Sequence, residues 1–214
     1  MQPPTVFVIN LDNRPDRWLN LQKICWSNGI QPIRISAVKA SPGWHGCAKS
    51  HAKCAAKAKE MGLPWVLVLE DDCTFSREGW QRFLSFLPWL WNNRDKWEFF
   101  NGGITYVDKI ELFNEKPLLL KANGYAAHFI LYTDAAYDYI AGWDEKSHGP
   151  CDTYFDVKFK SVTCYPLIAR QIPNHSDIND SSQDYTGFFN STEEKMRTFL
   201  EEHNLLDAVS ASVI

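Results

Sequence analysis

Glu70, Asp71 and Asp72 follow directly on the apolar run Trp65-Val66-Leu67-Val68-Leu69. Adjacent carboxylates repel one another and lose solvation where a chain leaves a core, so a sequence that keeps them there commonly supplies a cation. Oxygen donors of this kind suit a hard divalent ion, Mg²⁺ or Mn²⁺. The same residues also suit a solvated strand-to-loop turn with capping aspartates. A second polar concentration spans Ile172 to Gly187 and contains His175 and Asp177. A polar loop of that length inside a compact domain is either functional or disordered. Asp152, after Gly149-Pro150-Cys151, stands where an expected helix begins and is at the least a good cap there.

The elements that must position these groups are legible from periodicity. Trp65 to Leu69 is bounded by Gly62-Leu63-Pro64 and by charge, and is too short for a helix, so it reads as a buried strand. Val6 to Leu11 reads the same way. The polar turn Asp12 to Arg17 then leads into a helix whose Trp18, Leu21, Ile24 and Cys25 face inward, with Gly29 at its stop. Gln31 to Ile35 gives the next strand, so the chain opens β-α-β, the mark of a parallel sheet.

Cys47 to Met61 is an Ala-rich helix with Ala48, Ala52, Ala55 and Ala56 inward and a solvated row of Lys49, Lys53 and Lys57. His51 on it is either a hydrogen-bonded core residue or a donor-site residue. Further helices are expected over Gly79 to Leu87, ending near Pro88, over Thr133 to Ile140, and over Asp152 to Phe159. Strands are expected over Glu98 to Asn101, running into Gly102-Gly103, and over Ala126 to Tyr132. Ser191-Thr192-Glu193-Glu194 reads as a capping box in front of a C-terminal helix over 191–208.

The chain has 214 residues, 45% of them hydrophobic, enough for one substantial α/β domain over 1–214. A net charge of −4 without a Lys/Arg cluster excludes a dedicated nucleic-acid binder. No run approaches the roughly 18 apolar residues of a membrane span. Met1 to Thr5 lacks the basic segment of a signal peptide, so a cytoplasmic protein is expected. The six cysteines show no C-x-x-C spacing and read as buried free thiols. The turn-borne Trp44 and the Asn101-Gly102-Gly103 strand end are places where a ligand could approach closely.

Three segments carry a family resemblance. Asn10-Leu11 with Arg14-Pro15-Asp16-Arg17, then Gly46-Cys47-Ala48-Lys49-Ser50-His51, then Leu67-Val68-Leu69-Glu70-Asp71-Asp72 resemble, in order and spacing, the pattern of glycosyltransferase family 25. That family includes bacterial lipooligosaccharide and procollagen galactosyltransferases. Pro150-Cys151-Asp152 and the Tyr165-Pro166 and Ser176-Asp177-Ile178 segments look like its more variable later marks. The chain also resembles glycosyltransferase domains encoded by large algal viruses, which would put it in host cytoplasm.

The resemblance implies a GT-A fold, an α/β/α sandwich with a mostly parallel, Rossmann-like sheet that binds a nucleotide-sugar at its carboxyl strand ends. It implies a UDP-sugar donor, a glycan or glycoprotein acceptor, and Mn²⁺ or Mg²⁺. Asp72 would ligate the ion, with His175 completing the coordination and Asp177 as the alternative. Asn10, Leu11, Arg14, Arg17, Ser50, Glu70 and Asp71 would line the donor, with Glu70 at the ribose or a metal-bound water. For inverting transfer a carboxylate must take the acceptor's proton, and Asp152 is the choice, with Asp156 in reserve. A catalytically silent glycan- or nucleotide-binding domain is the rival from a different class. A metal-dependent phosphotransferase or hydrolase is weakened by the lack of a P-loop or H-E-x-x-H motif.

Overall fold

The computed structural model describes residues 3–158, 160–176 and 181–210, with side chains for all of these except 156–158, 174–176 and 210. In chain order the elements are β1 (Thr5–Asn10), α1 (Pro15–Ser27), β2 (Ile33–Ser36), α2 (Gly43–Glu60), β3 (Trp65–Glu70), β4 (Cys73–Phe75) and α3 (Arg77–Asn92). There follow β5 (Phe99–Asn101), β6 (Ile110–Asn114), β7 (Leu119–Ala122), β8 (Phe129–Thr133), α4 (Asp134–Ala141) and α5 (Cys151–Lys158). The chain closes with β9 (Ser161–Val162), β10 (Ala169–Gln171), β11 (Asn174–Ser176), β12 (Ser181–Gln183), α6 (Thr186–Glu202) and α7 (Leu206–Ser210).

A six-stranded sheet in the order β2-β1-β3-β8-β5-β9 forms the centre. The expected opening is present: β1 pairs with β2 and with β3 in parallel. The sheet is not parallel throughout, because β8 runs antiparallel to both β3 and β5. Strands buried on both faces split their side chains between two cores, since successive residues point to opposite sides. Val6, Val8, Leu67 and Leu69 meet α1 and α3 through Leu21, Cys25, Phe83 and Phe86. Phe7, Ile9, Val66 and Val68 meet α2, α4 and α5 through Ala48, Ala55, Ile140 and Phe155. The result is an α/β domain with helices on both faces of a mostly parallel sheet. Among the described residues, no helix is long and apolar enough to cross a membrane.

Several local expectations are corrected. Pro88 lies inside α3, which runs on to Asn92. A mid-helix proline costs about 3 kcal/mol, but Leu87 and Leu90 on either side of it are fully buried, and that packing holds the helix together. Ser191 to Glu194 lie within α6, which starts at Thr186, where the Asp184 carboxylate accepts the Thr186 amide at 2.9 Å. Glu193 instead receives the Leu167 amide at 2.9 Å and pairs with Arg170. The stretch 172–187 holds an antiparallel hairpin, with Asn174 opposite Gln183 and His175 opposite Ser182. Ala126 takes a left-handed φ of 87°, which no strand residue adopts, and β8 begins only at Phe129. Trp44 belongs to the first turn of α2 rather than to a free turn; it packs edge-on against Trp143 and, as expected of a residue that a ligand could approach, lines the cleft at the carboxyl ends of β1 and β3. On that helix Cys54 and Ala58 turn inward where Ala56 was expected.

Candidate functional site

The carboxyl ends of β1, β2 and β3 open on one side of the sheet, and β8 starts there because it runs the opposite way. A cleft of about 640 Å³ lies at this edge, within the usual range for a small-molecule site. Asn10, Leu11 and Arg17 line it from the β1–α1 turn, and Glu70, Asp71 and Asp72 from the end of β3. Val38 and Lys39 close one wall, and Tyr125, Ala126 and Asp152 face them from the other. Gln171, Ile172, Gln183 and Tyr185 add a third side from the C-terminal part of the chain.

The three carboxylates differ sharply in what they touch. Asp71 is buried and fully engaged: Asn10 Nδ2 donates to one oxygen at 2.7 Å and Arg17 Nη1 to the other at 3.0 Å. Burial raises its pKa even so, against the opposing pull of Asn10 and Arg17. Asn10 is equally committed, accepting Arg34 Nε at 2.8 Å and giving its amide to Arg14 O at 2.8 Å. These two residues therefore lock the strand ends together, and their polar atoms point at protein.

Glu70 lines the cleft and turns its Oε1 toward Cys47 Sγ at 3.2 Å and His51 Nε2 at 3.1 Å. Burial would raise its pKa, but His51 and Cys47 overcome it and hold the carboxylate below its ordinary range. His51 is fully buried, its Nδ1 bonded to the Tyr132 hydroxyl. Burial lowers its basicity, and the bonds to Cys47 and Glu70 outweigh that and lift it to about 9.

Asp72 is the unfinished member. Gln171 Nε2 donates to its Oδ2 at 3.1 Å, while Oδ1 is shielded from bulk solvent and has no hydrogen-bond partner among the described residues. Burial, with Glu70 and Asp71 alongside, pushes its pKa up to about 7. A buried carboxylate oxygen without a donor is costly, and a cation is what would relieve it. This orphaned oxygen fits a divalent ion, with the neighbouring carboxylates supplying further charge.

The other expected site residues fall into groups. Leu11 and Ser50 line the cleft. The Ser50 hydroxyl donates to Gly46 O at 2.6 Å and accepts the Val38 amide at 2.8 Å, fastening the wall formed by the segment after β2. Gly46 is required there, since a Cβ would lie 2.4 Å from Val38 O. Arg14 pairs with Asp16 at 3.0 Å at the exposed start of α1, outside the cleft lining. Asp152 lines the cleft as the second residue of α5, so it is not an N-cap; its Oδ1 accepts the Thr153 amide at 2.9 Å and its Oδ2 the Ala126 amide at 3.4 Å. His175 is placed by its backbone on β11, but its side chain, that of Asp156, and all of Asp177 lie outside the described residues.

Gly102 and Gly103 make room for protein rather than for a ligand: a Cβ would meet Phe129 at 2.4 Å from the first and Ala169 O at 2.3 Å from the second. Asn101 likewise spends its amide on Ala126 O and on the Gly103 amide, at 2.8 and 3.0 Å.

Sequence reasoning missed the rim. Tyr106, Tyr125 and Phe188 are 52%, 42% and 41% exposed and touch in a row, with ring centroids 5.9 Å apart for Tyr106–Tyr125 and 4.5 Å for Tyr106–Phe188. Tyr106 and Tyr125 line the cleft. Tyr185 lies over the carboxylates; burial, followed by Asp72, raises its phenol pKa. The turn chemistry around Gly124 was the one local signal that could have drawn attention to Tyr125. Comparison with protein-family models gives no match, and none of the curated proteins searched matches the chain.

Proposed function

We propose that this protein is a metal-dependent glycosyltransferase of GT-A type, similar to family 25, which moves a hexose from a UDP-sugar to a hydroxyl of a glycan or glycoprotein. The observation that carries the reading is Asp72 Oδ1, a buried carboxylate oxygen without a hydrogen-bond partner among the described residues, in a cleft at the carboxyl ends of parallel strands. Open α/β sheets bind nucleotides at such ends. The Asp72 carboxylate would hold the divalent ion, which when bound stabilises the charge on the departing nucleoside diphosphate.

The chain's own residues supply the rest. Asn10 and Arg17 hold the Asp71 carboxylate in place beside Asp72 and oppose the effect of its burial, so the arrangement around the ion is set before the donor arrives. Lys39, on the cleft wall, offers a cation to the diphosphate. Asp152, held by two backbone amides, keeps its carboxylate oriented toward the cleft and takes the proton from the acceptor hydroxyl as that oxygen attacks the anomeric carbon. The exposed rings of Tyr106, Tyr125 and Phe188 give the apolar faces of an acceptor sugar a surface to lie on at the cleft mouth.

A panel of sugar nucleotides incubated with Mn²⁺ and simple glycan acceptors tests the reading. Turnover of a UDP-sugar that stops on chelation is the expected result. Tight binding of sugar nucleotide without turnover would replace it with a silent binding domain, and the absence of both would remove it.

A further inference from the structure

Cys47 and His51 stand four residues apart on α2 and so share one face of the helix. Packing of α5 against α2 brings Cys151, the first residue of α5, to that face. The ligand atoms of Cys47, His51 and Cys151 all fall within 4.8 Å of one another. The two sulfurs are 3.3 Å apart, and Glu70 Oε1 lies 3.2 Å from Cys47 Sγ and 3.1 Å from His51 Nε2. Two sulfurs, a nitrogen and an oxygen thus converge from α2, β3 and α5.

A tetrahedron with bonds of 2.0–2.3 Å to its centre has edges of roughly 3.3–3.8 Å. The separations of 3.1, 3.2 and 3.3 Å lie at or just under the lower edge of that range, so a small opening of the side chains makes room for an ion. The imidazole is also oriented as a ligand requires. With Nδ1 engaged by the Tyr132 hydroxyl, Nε2 is the nitrogen turned to the cluster. Thiolate and imidazole donors select zinc, whereas Mn²⁺ and Mg²⁺ prefer the all-oxygen surroundings of Asp72.

We propose that Cys47, His51 through Nε2 and Cys151, with Glu70 as fourth ligand, form a Zn²⁺ site beneath the cleft, separate from the ion held by Asp72. Binding displaces the two thiol protons and the Nε2 proton to solvent, and no electron changes hands. The ion clamps the end of β3 to α2 and α5, and so fixes the strand end from which Asp72 projects. Cys47, Glu70 and Cys151 line the cleft, which gives the metal its way in, while His51 is buried behind them. The site requires no glycosyl transfer.

The test uses the reduced, metal-stripped full-length protein titrated with Co²⁺ alone. The expected result is one equivalent bound with an intense thiolate-to-cobalt band in the near ultraviolet, bleached by Zn²⁺ and unaffected by excess Mn²⁺. Cys47→Ser and Cys151→Ser should each abolish or strongly shift the band, whereas Cys54→Ala and Asp72→Asn should keep it. Native mass spectrometry of the unaltered protein gives a second readout, one Zn²⁺ retained in excess Mn²⁺. A folded wild-type protein with no such band and no retained zinc overturns the proposal. So does a band indifferent to both serine substitutions, or a Cys47–Cys151 disulfide whose reduction leaves a protein that still takes up no cobalt.

Discussion

The Asn10 amide reaches the Asp71 carboxylate at 2.7 Å across the β1–β3 boundary, at a point where both side chains are buried. Neither residue neighbours the other in sequence, yet each is the last polar group its strand end offers before the cleft. Removing the amide takes away the 2.7 Å donor to Asp71 Oδ2. Asn10→Ala should therefore destabilise the protein by about 1–3 kcal/mol, a fall of roughly 2–12 °C in melting temperature at about 2–4 °C per kcal/mol for a chain of this size. Asn10→Asp should be worse at pH 8 than at pH 5, because the second carboxylate would then be charged against Asp71. Equal melting temperatures for wild type and Asn10→Ala would show that the bond does not hold the strands.

Asp72 gives a prediction with a definite sign. Its pKa in the folded protein is raised from 3.8 to about 7, so the unfolded chain releases this proton first and the folded state loses stability from this group as pH rises through that interval. Without metal, Asp72→Asn should melt higher than wild type at pH 8, with the difference shrinking toward pH 4. The same substitution should abolish Mn²⁺-dependent UDP binding. Calorimetry showing unchanged UDP affinity with Mn²⁺ would take Asp72 out of the metal site.

Asp152 separates the acceptor from the donor. In the proposed transfer it receives a proton in the transition state, so Asp152→Asn should leave UDP-sugar affinity nearly unchanged while turnover falls about a hundredfold or more. Asn keeps one oxygen for the Thr153 amide and loses only the long 3.4 Å contact with the Ala126 amide, so stability should fall little. A variant that transfers sugar at the normal rate would pass the role to another carboxylate.

The aromatic rim should act on the acceptor alone. Tyr106→Ala or Tyr125→Ala is expected to raise the acceptor KM roughly tenfold, the effect of losing one ring contact worth about 1.4 kcal/mol, without altering donor affinity. Steady-state kinetics with each substrate varied in turn distinguishes this from general damage to the cleft, which would raise both.

What the sequence disclosed was what depends on neighbours in sequence. The buried runs of β1 and β3, the inward face of α1 and the carboxylates at the end of β3 are local patterns, and the structure places them as periodicity implies. The direction of β8 was not legible, because an apolar run reads the same in either sense. Pro88 broke a rule of local propensity only because Leu87 and Leu90 are buried by distant residues. The convergence of Cys47 with Cys151 depends on α5 docking against α2, and their separation of 104 positions leaves no spacing to read. The rim tyrosines sit on loops whose course is set by tertiary contacts.

The reversed direction of β8 also divides the domain into a working edge and a blank one. The exits of β1, β2, β3 and β5 and the start of β8 all fall on the cleft side, so the turns at the opposite edge carry no chemistry. Two of them, at Gly29 and Gly62, adopt left-handed φ values of 73° and 63° with open space around each α-carbon. Exposed turns of this sort tolerate added chain. Reporter domains or affinity tags spliced into the turn at Gly62 would project away from the cleft. The same turn is the natural place to cut and rejoin the chain in a circular permutant that keeps the cleft whole.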